Sequence, residues 1–314
     1  MVDSKQQWKA WLYLTPAIIL LLIFTVWPII NTVRIAFVED YNAMAAIGGQ
    51  HFSVGFKNFA SIVQYRGFKT ALKNTMLLCV LTVPISTFLA LLIAVCLNSI
   101  KPLNRLLQTI YFLPYVTNSI AIGMVFAAMF KIVGFSVEGI ENSISLGIVN
   151  NILHIFGVGP INWMNQGSLY GSNITVMTIY IVWNALPFKI LILLGGLQSV
   201  NKQYYDAAKV DGTGKVRVFF RITIPLLSPM IAYVVITGFI GGFKEYTSIV
   251  GLFGENMGPV GSVENKPLNT MVGLVYDAIE RQQGRAAAAA LILFGIILVV
   301  TLLNLYVSKK RVHY

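Results

Sequence analysis

The chain has 314 residues, 56% of them hydrophobic and only 11% charged, with a mean hydropathy of +0.73. Soluble domains carry about 25% charged residues, and a single soluble core stops growing near about 250–300 residues, so a water-soluble globule is excluded and the bilayer is the natural solvent. The net charge of +11 acquires meaning only from where the basic residues lie.

A spanning helix needs about 20 apolar residues. Stretches free of Asp, Glu, Lys and Arg run over 11–33, 74–100, 106–130, 222–243 and 286–308. A further one, 142–188, is broken in its first half by Gly157, Gly159, Pro160, Asn162, Asn165 and Gly167, so its span begins near Ile174 and passes Lys189 to about Leu197. The pattern predicts an all-α integral membrane protein with six transmembrane helices, at 11–37, 72–98, 106–130, 173–197, 222–243 and 286–307. Residues 1–10 precede the first span, 38–70 form an outer loop, and 71–314 hold the other five spans with a polar loop at 201–229. The first span is too long for a signal peptide and is followed by Arg34 rather than a cleavage site. Cys79 and Cys96 share one apolar run; seventeen residues of helix separate them by about 25 Å, too far for a disulfide, which predicts two buried thiols.

Basic residues mark the cytoplasmic side. The N-terminus, the turn at 98–105, the loop at 198–221 and the C-terminal tail hold twelve basic residues against three acids. The opposite loops hold nine of each across far more chain. Both termini are therefore expected in the cytoplasm, and the charge supplies no argument for nucleic acid.

In the outer loops, Phe56, Phe59, Ile62 and Val63 fall at helical spacing, with Lys57 and Asn58 off that face, which predicts an amphipathic segment on the membrane surface. The stretch 146–156 reads similarly and stops at Gly157; His154 there is a packing residue. The stretch 245–283, with Gly251, Gly254, Gly258, Pro259, Gly261 and Pro267, reads as a folded loop or hinge. Chemistry is sparse. Gly214-Lys215 fails as a phosphate-binding loop because Lys209 and Val216 stand where Gly and Ser or Thr are needed. No catalytic constellation or metal-ligand spacing is present, and apart from Lys189, and Arg34 and Lys73 near the ends of the first two spans, the spans carry no charge, so the carboxylate chain of an ion-coupled pump is missing. Lys189 itself is left with two readings, facing water or a polar partner inside the bundle, or snorkelling to the interface.

The polar loop has more internal order than a turn requires. Tyr204–Val210 has helical composition, Gly212 and Gly214 break it, and Lys215–Ile224 forms a second helix stopped by Pro225. Asp206-Ala207-Ala208, then Asp211-Gly212, Phe219, Ile222, Pro225 and Pro229, resembles the EAA loop of ABC importer permeases; Asp206 stands for the usual Glu and Thr213 for the usual Ala. The resemblance covers almost the whole chain. Leu14-Thr15-Pro16, Trp27-Pro28, the stretch 55–59, Asn74-Thr75, Leu113-Pro114, Asn162-Trp163, the stretch 183–188 and Gly284-Arg285 are similar to the larger permease of maltose-type sugar transporters. It implies the type I ABC importer permease fold and a prokaryotic cell-membrane location. It also implies a partner permease of the same fold, two ATP-binding subunits that hold the ATP and Mg, an extracytoplasmic sugar-binding protein and no cofactor in this chain. Asp206, Ala207, Ala208, Asp211, Gly212, Phe219 and Pro225 would form the ATPase-coupling element, with Asp206 facing an arginine of the ATPase.

Sugar sites combine aromatic faces with a few hydrogen-bonding groups. Trp183, Asn184 and Phe188 on the fourth span supply both, and Gly238 and Gly242 open space before Lys244, Glu245 and Tyr246. These stretches match those that line the maltose transporter's cavity. Lys244 favours an acidic sugar and Glu245 beside it cancels the preference. The alternatives, a secondary carrier coupled to an ion gradient and a membrane-embedded enzyme, need intramembrane acids or a reactive cluster.

Overall fold

The computed structural model describes residues 7–41, 43, 51–100, 104–135, 143–259, 266–280 and 282–311. The expected N-terminal segment 1–10 and turn 98–105 lie partly outside these residues, as does part of the Gly- and Pro-rich loop. Among the described residues, four helices are long and apolar enough to cross a membrane, Trp8–Phe37, Arg66–Ser99, Tyr170–Ser199 and Gln283–Lys310; two bent pairs raise the number to six if each is one span. The chain divides into two compact units, one of Met1–Phe68 and Gly273–Phe294, the other of Lys69–Val272 and Gly295–Tyr314.

In the first unit, α1 (Gln7–Leu21) and α2 (Trp27–Phe37) are joined by a π-helical turn, Leu22–Val26, closed by the Trp27 amide on the Leu22 carbonyl. Pro28 follows directly. It has no N–H to offer the carbonyl four residues back, and the wider turn gives its ring room. Then comes α3 (Lys57–Gln64). Its Asn58 is buried, not on the polar side that the sequence pattern predicts, because its Nδ2 donates to the Ala36 carbonyl at 3.1 Å and the Val38 carbonyl at 2.9 Å. Phe56 meanwhile stays exposed. Gly284 allows this packing, since a Cβ there would lie 2.6 Å from Asn58 Nδ2.

The second unit is built on α4 (Arg66–Ser99), most of which lies within it, and α8 (Tyr170–Ser199). The third span, expected as one helix over 106–130, is two: α5 (Asn104–Val116) and α6 (Ser119–Phe130), bent by 103°. Pro114 lies in the last turn of α5, and Asn118 restarts the chain as an N-cap, its Oδ1 accepting from Ile120 N at 2.9 Å and Ala121 N at 3.4 Å. A short hairpin, β1 (Val133–Phe135) with β2 (Ser143–Ser145), and α7 (Gly147–Ile155) follow. The helix ends at Phe156 and Gly157, whose φ is +77°. After α8 come α9 (Lys202–Val210), α10 (Lys215–Val218), a π turn Phe219–Thr223 and α11 (Ile224–Leu226). Pro225 does not stop the helix as expected. The π turn before it absorbs the lost hydrogen bond, and the bend of 68° falls at Leu227, before α12 (Ser228–Phe243). The Gly- and Pro-rich loop contains α13 (Thr247–Phe253) and α14 (Met271–Ile279), and α15 (Gln283–Arg311) ends the chain.

Among the described residues, buried apolar side chains of the second unit include two clusters. One holds Leu78, Phe130, Met177, Tyr180, Ile249 and Leu252; the other holds Ala90, Ala94, Leu193, Leu197, Leu227 and Val234. Asn74 ties the end of α4 nearer the first cluster to the loop between α13 and α14, donating to the Pro267 and Asn269 carbonyls at 2.9 and 2.8 Å and accepting from Tyr170 Oη at 2.7 Å. Both cysteines are free; Cys79 is buried as expected, whereas Cys96 is exposed, because it falls on the outward side of α4.

Helices α6 and α13 cross at two glycines. A Cβ on Gly123 would stand 2.8 Å from Gly251 Cα, and one on Gly251 would stand 2.9 Å from the Ile120 carbonyl oxygen. Both obstacles are backbone, so neither can rotate away. Gly123→Val is expected to destabilise the protein by about 1–3 kcal/mol or more through overpacking. Gly195→Ala, with no atom within 4 Å of the added Cβ, is expected to be neutral or to stabilise by about 0.5–1 kcal/mol. Thermal unfolding of the detergent-solubilised variants measures both.

Candidate functional site

The polar loop is a rigid object. Asn201 caps α9, its side chain accepting from Gln203 N at 3.0 Å. The other end closes with two crossed bonds: Thr213 N donates to the Ala208 carbonyl at 2.9 Å and Gly212 N to the Lys209 carbonyl at 3.1 Å. This is a Schellman ending, and it needs a left-handed residue, which Gly212 supplies at φ +65°. Asp211 occupies the C-cap just before it.

The loop is also fastened to the bundle. Ala208 is buried, Tyr205 Oη lies 3.4 Å from Thr223 Oγ1, and Phe219 packs against the cluster of Leu193, Leu197 and Leu227. Asp206 and Ala207 face outward. The Asp206 carboxylate meets Lys209 Nζ at 3.2 Å, with 68% and 78% of the side chains exposed. Such a pair is weakly held, so it leaves the carboxylate available to another cation. Tyr204, Val210, Val216 and Phe220 are also exposed on this loop. Pro225 sits where the loop's second helix meets the bend.

The expected solute-path residues fall into two sets. Trp183 is half-buried, its ring 5.0 Å from Phe126 and 6.5 Å from Tyr180. Asn184 Nδ2 donates to Ser119 Oγ at 3.3 Å, and that hydroxyl lies 3.1 Å from Tyr180 Oη. Phe188 stacks on Tyr115 at 5.8 Å with 18° between the rings. This set gathers beside the break between α5 and α6. Tyr246 packs against the same buried cluster as Trp183. Gly238 and Gly242 instead fit against α4: a Cβ on Gly242 would lie 2.7 Å from Cys79 Sγ, and one on Gly238 would lie 3.1 Å from Val83 Cγ1 and from Lys189 Nζ. Lys244 is exposed. Glu245 accepts from Ser248 N at 3.1 Å, its backbone carbonyl accepts from Thr270 Oγ1 at 2.9 Å, and desolvation pushes its carboxyl above the ordinary carboxylate range.

Lys189 does not snorkel. It is 4% exposed, and its ammonium donates to Ser86 Oγ at 2.7 Å, Thr87 Oγ1 at 2.9 Å and the Val83 carbonyl at 3.3 Å.

Sequence reasoning missed Tyr180, Ser119 and Tyr115. Tyr180 was accessible to it, since 180, 183, 184 and 188 share one helical face. Ser119 and Tyr115 depend on the 103° break, which apolar periodicity does not reveal. Among the described residues no group of three or more His, Cys, Asp or Glu could hold a metal.

Comparison with known proteins gives a consistent result. The family model described as "Binding-protein-dependent transport system inner membrane component" matches residues 83–313. The arabinooligosaccharides transport system permease protein AraP of Bacillus subtilis (strain 168) is 29% identical over 302 residues, covering 95% of this chain and 88% of that protein. The lactose transport system permease protein LacF of Rhizobium radiobacter is 27% identical over 309 residues, covering 96% and 95%. Among solved structures, a bacterial ABC transporter involved in the import of the acidic polysaccharide alginate matches with a TM-score of 0.74 and 22% identity, covering 98% of this chain and 96% of the other. The fold is therefore that of an ABC importer permease.

Gly212→Ala places a Cβ in the left-handed region, at a cost of about 1–2 kcal/mol. The expected outcome is faster hydrogen exchange at the Gly212 and Thr213 amides, with exchange in α8 unchanged.

Proposed function

The chain belongs to the family of binding-protein-dependent transport system inner membrane components, and on that premise we propose that it forms half of the membrane path of an ATP-driven sugar importer. The observation that carries the proposal is the polar loop. A capped helix presents Asp206 and Ala207 outward while Tyr205, Ala208 and Phe219 hold it to the base of the bundle. A surface built this way receives force. An ATP-binding subunit that grips α9 moves it as a unit, and the loop runs directly into α8 at one end and α12 at the other. Rigid elements joined to a moving contact convert its displacement into rotation of the spans.

The remaining parts follow from the same reading. A second permease of the same fold completes the path, two ATP-binding subunits hold the nucleotide and its Mg, and an extracytoplasmic binding protein delivers the solute. Hydrolysis belongs to the ATP-binding subunits. The distribution of basic residues supports a cytoplasmic side for both termini and the loop, and the family resemblance supports a prokaryotic cell membrane. A sugar is supported by the names of the relatives, and by Trp183, Phe188 and Tyr115 standing beside the amide of Asn184 and the hydroxyl of Ser119. Aromatic faces with a few hydrogen-bonding groups suit a pyranose or furanose ring.

Copurification from native membranes tests the assembly. An ATP-binding subunit and a second permease should accompany this chain; recovery of the chain alone, with uptake indifferent to ATP depletion, overturns the proposal. Asp206→Ala removes a charge-assisted hydrogen bond worth about 1.5–3 kcal/mol. It is expected to weaken association with the ATP-binding subunits by roughly ten- to a hundredfold, and to leave the binding protein's sugar affinity intact.

A further inference from the structure

We propose that Lys189 is a positioning residue of transport, a polar tether that makes α8, the span leading into the coupling loop, move together with α4, with α12 packed against the pair at Gly238. The proposal rests on the importer reading above.

The ammonium lies between the two apolar clusters of the second unit, in a polar layer at the junction of three helices. Its three N–H groups all point at α4, to Ser86 Oγ, Thr87 Oγ1 and the Val83 carbonyl. The acceptors are oriented in advance. Ser86 Oγ donates to the Thr82 carbonyl at 2.5 Å and Thr87 Oγ1 to the Val83 carbonyl at 2.7 Å, so each hydroxyl spends its proton on its own helix and turns a lone pair to the lysine. The third helix closes the site. Gly238 of α12 leaves room where a Cβ would stand 3.1 Å from Nζ. No recorded ion pair among the described residues joins a carboxylate to Lys189.

A buried charge held only by neutral oxygens is an expensive way to hold two helices together. Methionine or leucine would fill the volume at lower cost. What they lack is direction. Apolar packing lets one helix slide along another, whereas three hydrogen bonds from one atom fix their register. The register matters at this height because α8 and α12 are the two helices joined through the loop. With all three donors occupied, the ammonium has none left for a passing solute, so its contribution is mechanical.

Spin labels test this in the complete importer, reconstituted in proteoliposomes with Cys79 and Cys96 replaced. Label pairs go on the exposed positions Leu92 and Leu191, and on Leu191 and Tyr233. Distances are read without nucleotide and after trapping with ATP and vanadate. In the parent protein both distances should be the same in the two states. In Lys189→Met the trapped-state distributions should at least double in width, since buried sites lose uniqueness before they lose stability, with Lys189→Arg restoring narrow distributions. If Lys189→Met fails to assemble, Thr87→Val removes one acceptor at constant shape and should broaden the first pair. Parent distances that change on trapping overturn the tether. So does an assembled Lys189→Met with narrow distributions and only a lower melting temperature, which is what a purely stabilising lysine predicts. A parent complex that hydrolyses no ATP overturns the importer reading instead, and the tether with it.

Discussion

Inside hydrocarbon, a backbone or side-chain polar group without a partner costs several kcal/mol, and most of the irregular features of this chain are answers to that cost. Prolines create the problem by withholding an N–H from the preceding turn. At Pro28 and Pro225 the answer is a π turn placed just upstream, Leu22–Val26 and Phe219–Thr223. At the break after Pro114 the answer is the Asn118 side chain, which takes two of the amides that open α6. The hydroxyls of Ser86 and Thr87 meet the same cost for themselves, donating to the Thr82 and Val83 carbonyls of their own helix. The same constraint explains Asn58 and Asn74. Each is buried because its amide satisfies two carbonyls at or beyond the ends of helices.

Satisfying these groups also decides which parts can move. The loop at 201–229 would transmit little if it were flexible. Its caps, the left-handed Gly212 and the anchors at Tyr205, Ala208 and Phe219 leave it few internal freedoms, so under the proposed role a push on Asp206 would reach the bundle instead of bending the loop. The bends have the opposite effect. At Leu227 and between Val116 and Ser119, helices meet at large angles through one or two residues, and such junctions are where an element can pivot without breaking its internal ladder. Rigid pieces alternate with short joints.

How much of this was legible in the sequence depends on the range of the physics involved. Charge-free runs point to the four long apolar helices, because the cost of a charge in lipid is local to each residue. Gly212 was readable as a helix end for the same reason. The angle at 117–118 was not, since a proline in an apolar run is compatible with a straight helix, a kink or a full break, and tertiary packing chooses among them. Pro225 failed as a stop signal because the rule counts one missing hydrogen bond and ignores the π turn that replaces it. Asn58 looked polar-facing because periodicity records side chains and not the carbonyls of Ala36 and Val38 waiting across the chain. Gly238 and Gly242 looked like open space and serve as sockets for Lys189 and Cys79. A glycine marks close approach, and the sequence does not say of what.

One part of the molecule has no answer within the chain. The span Trp8–Phe37 has a mean hydropathy of 2.2, with none of its most apolar window buried. Trp11, Tyr13, Phe24 and Trp27 are all largely exposed. A helix that is apolar on every side requires an apolar environment on every side. Its 30 residues extend about 45 Å at ~1.5 Å per residue, against a hydrocarbon core of about 30 Å, long enough to span it upright with its ends in the interfacial layers or with some tilt. The two π-helix insertions share a position in the chain: each ends two residues before a proline, Pro28 and Pro225.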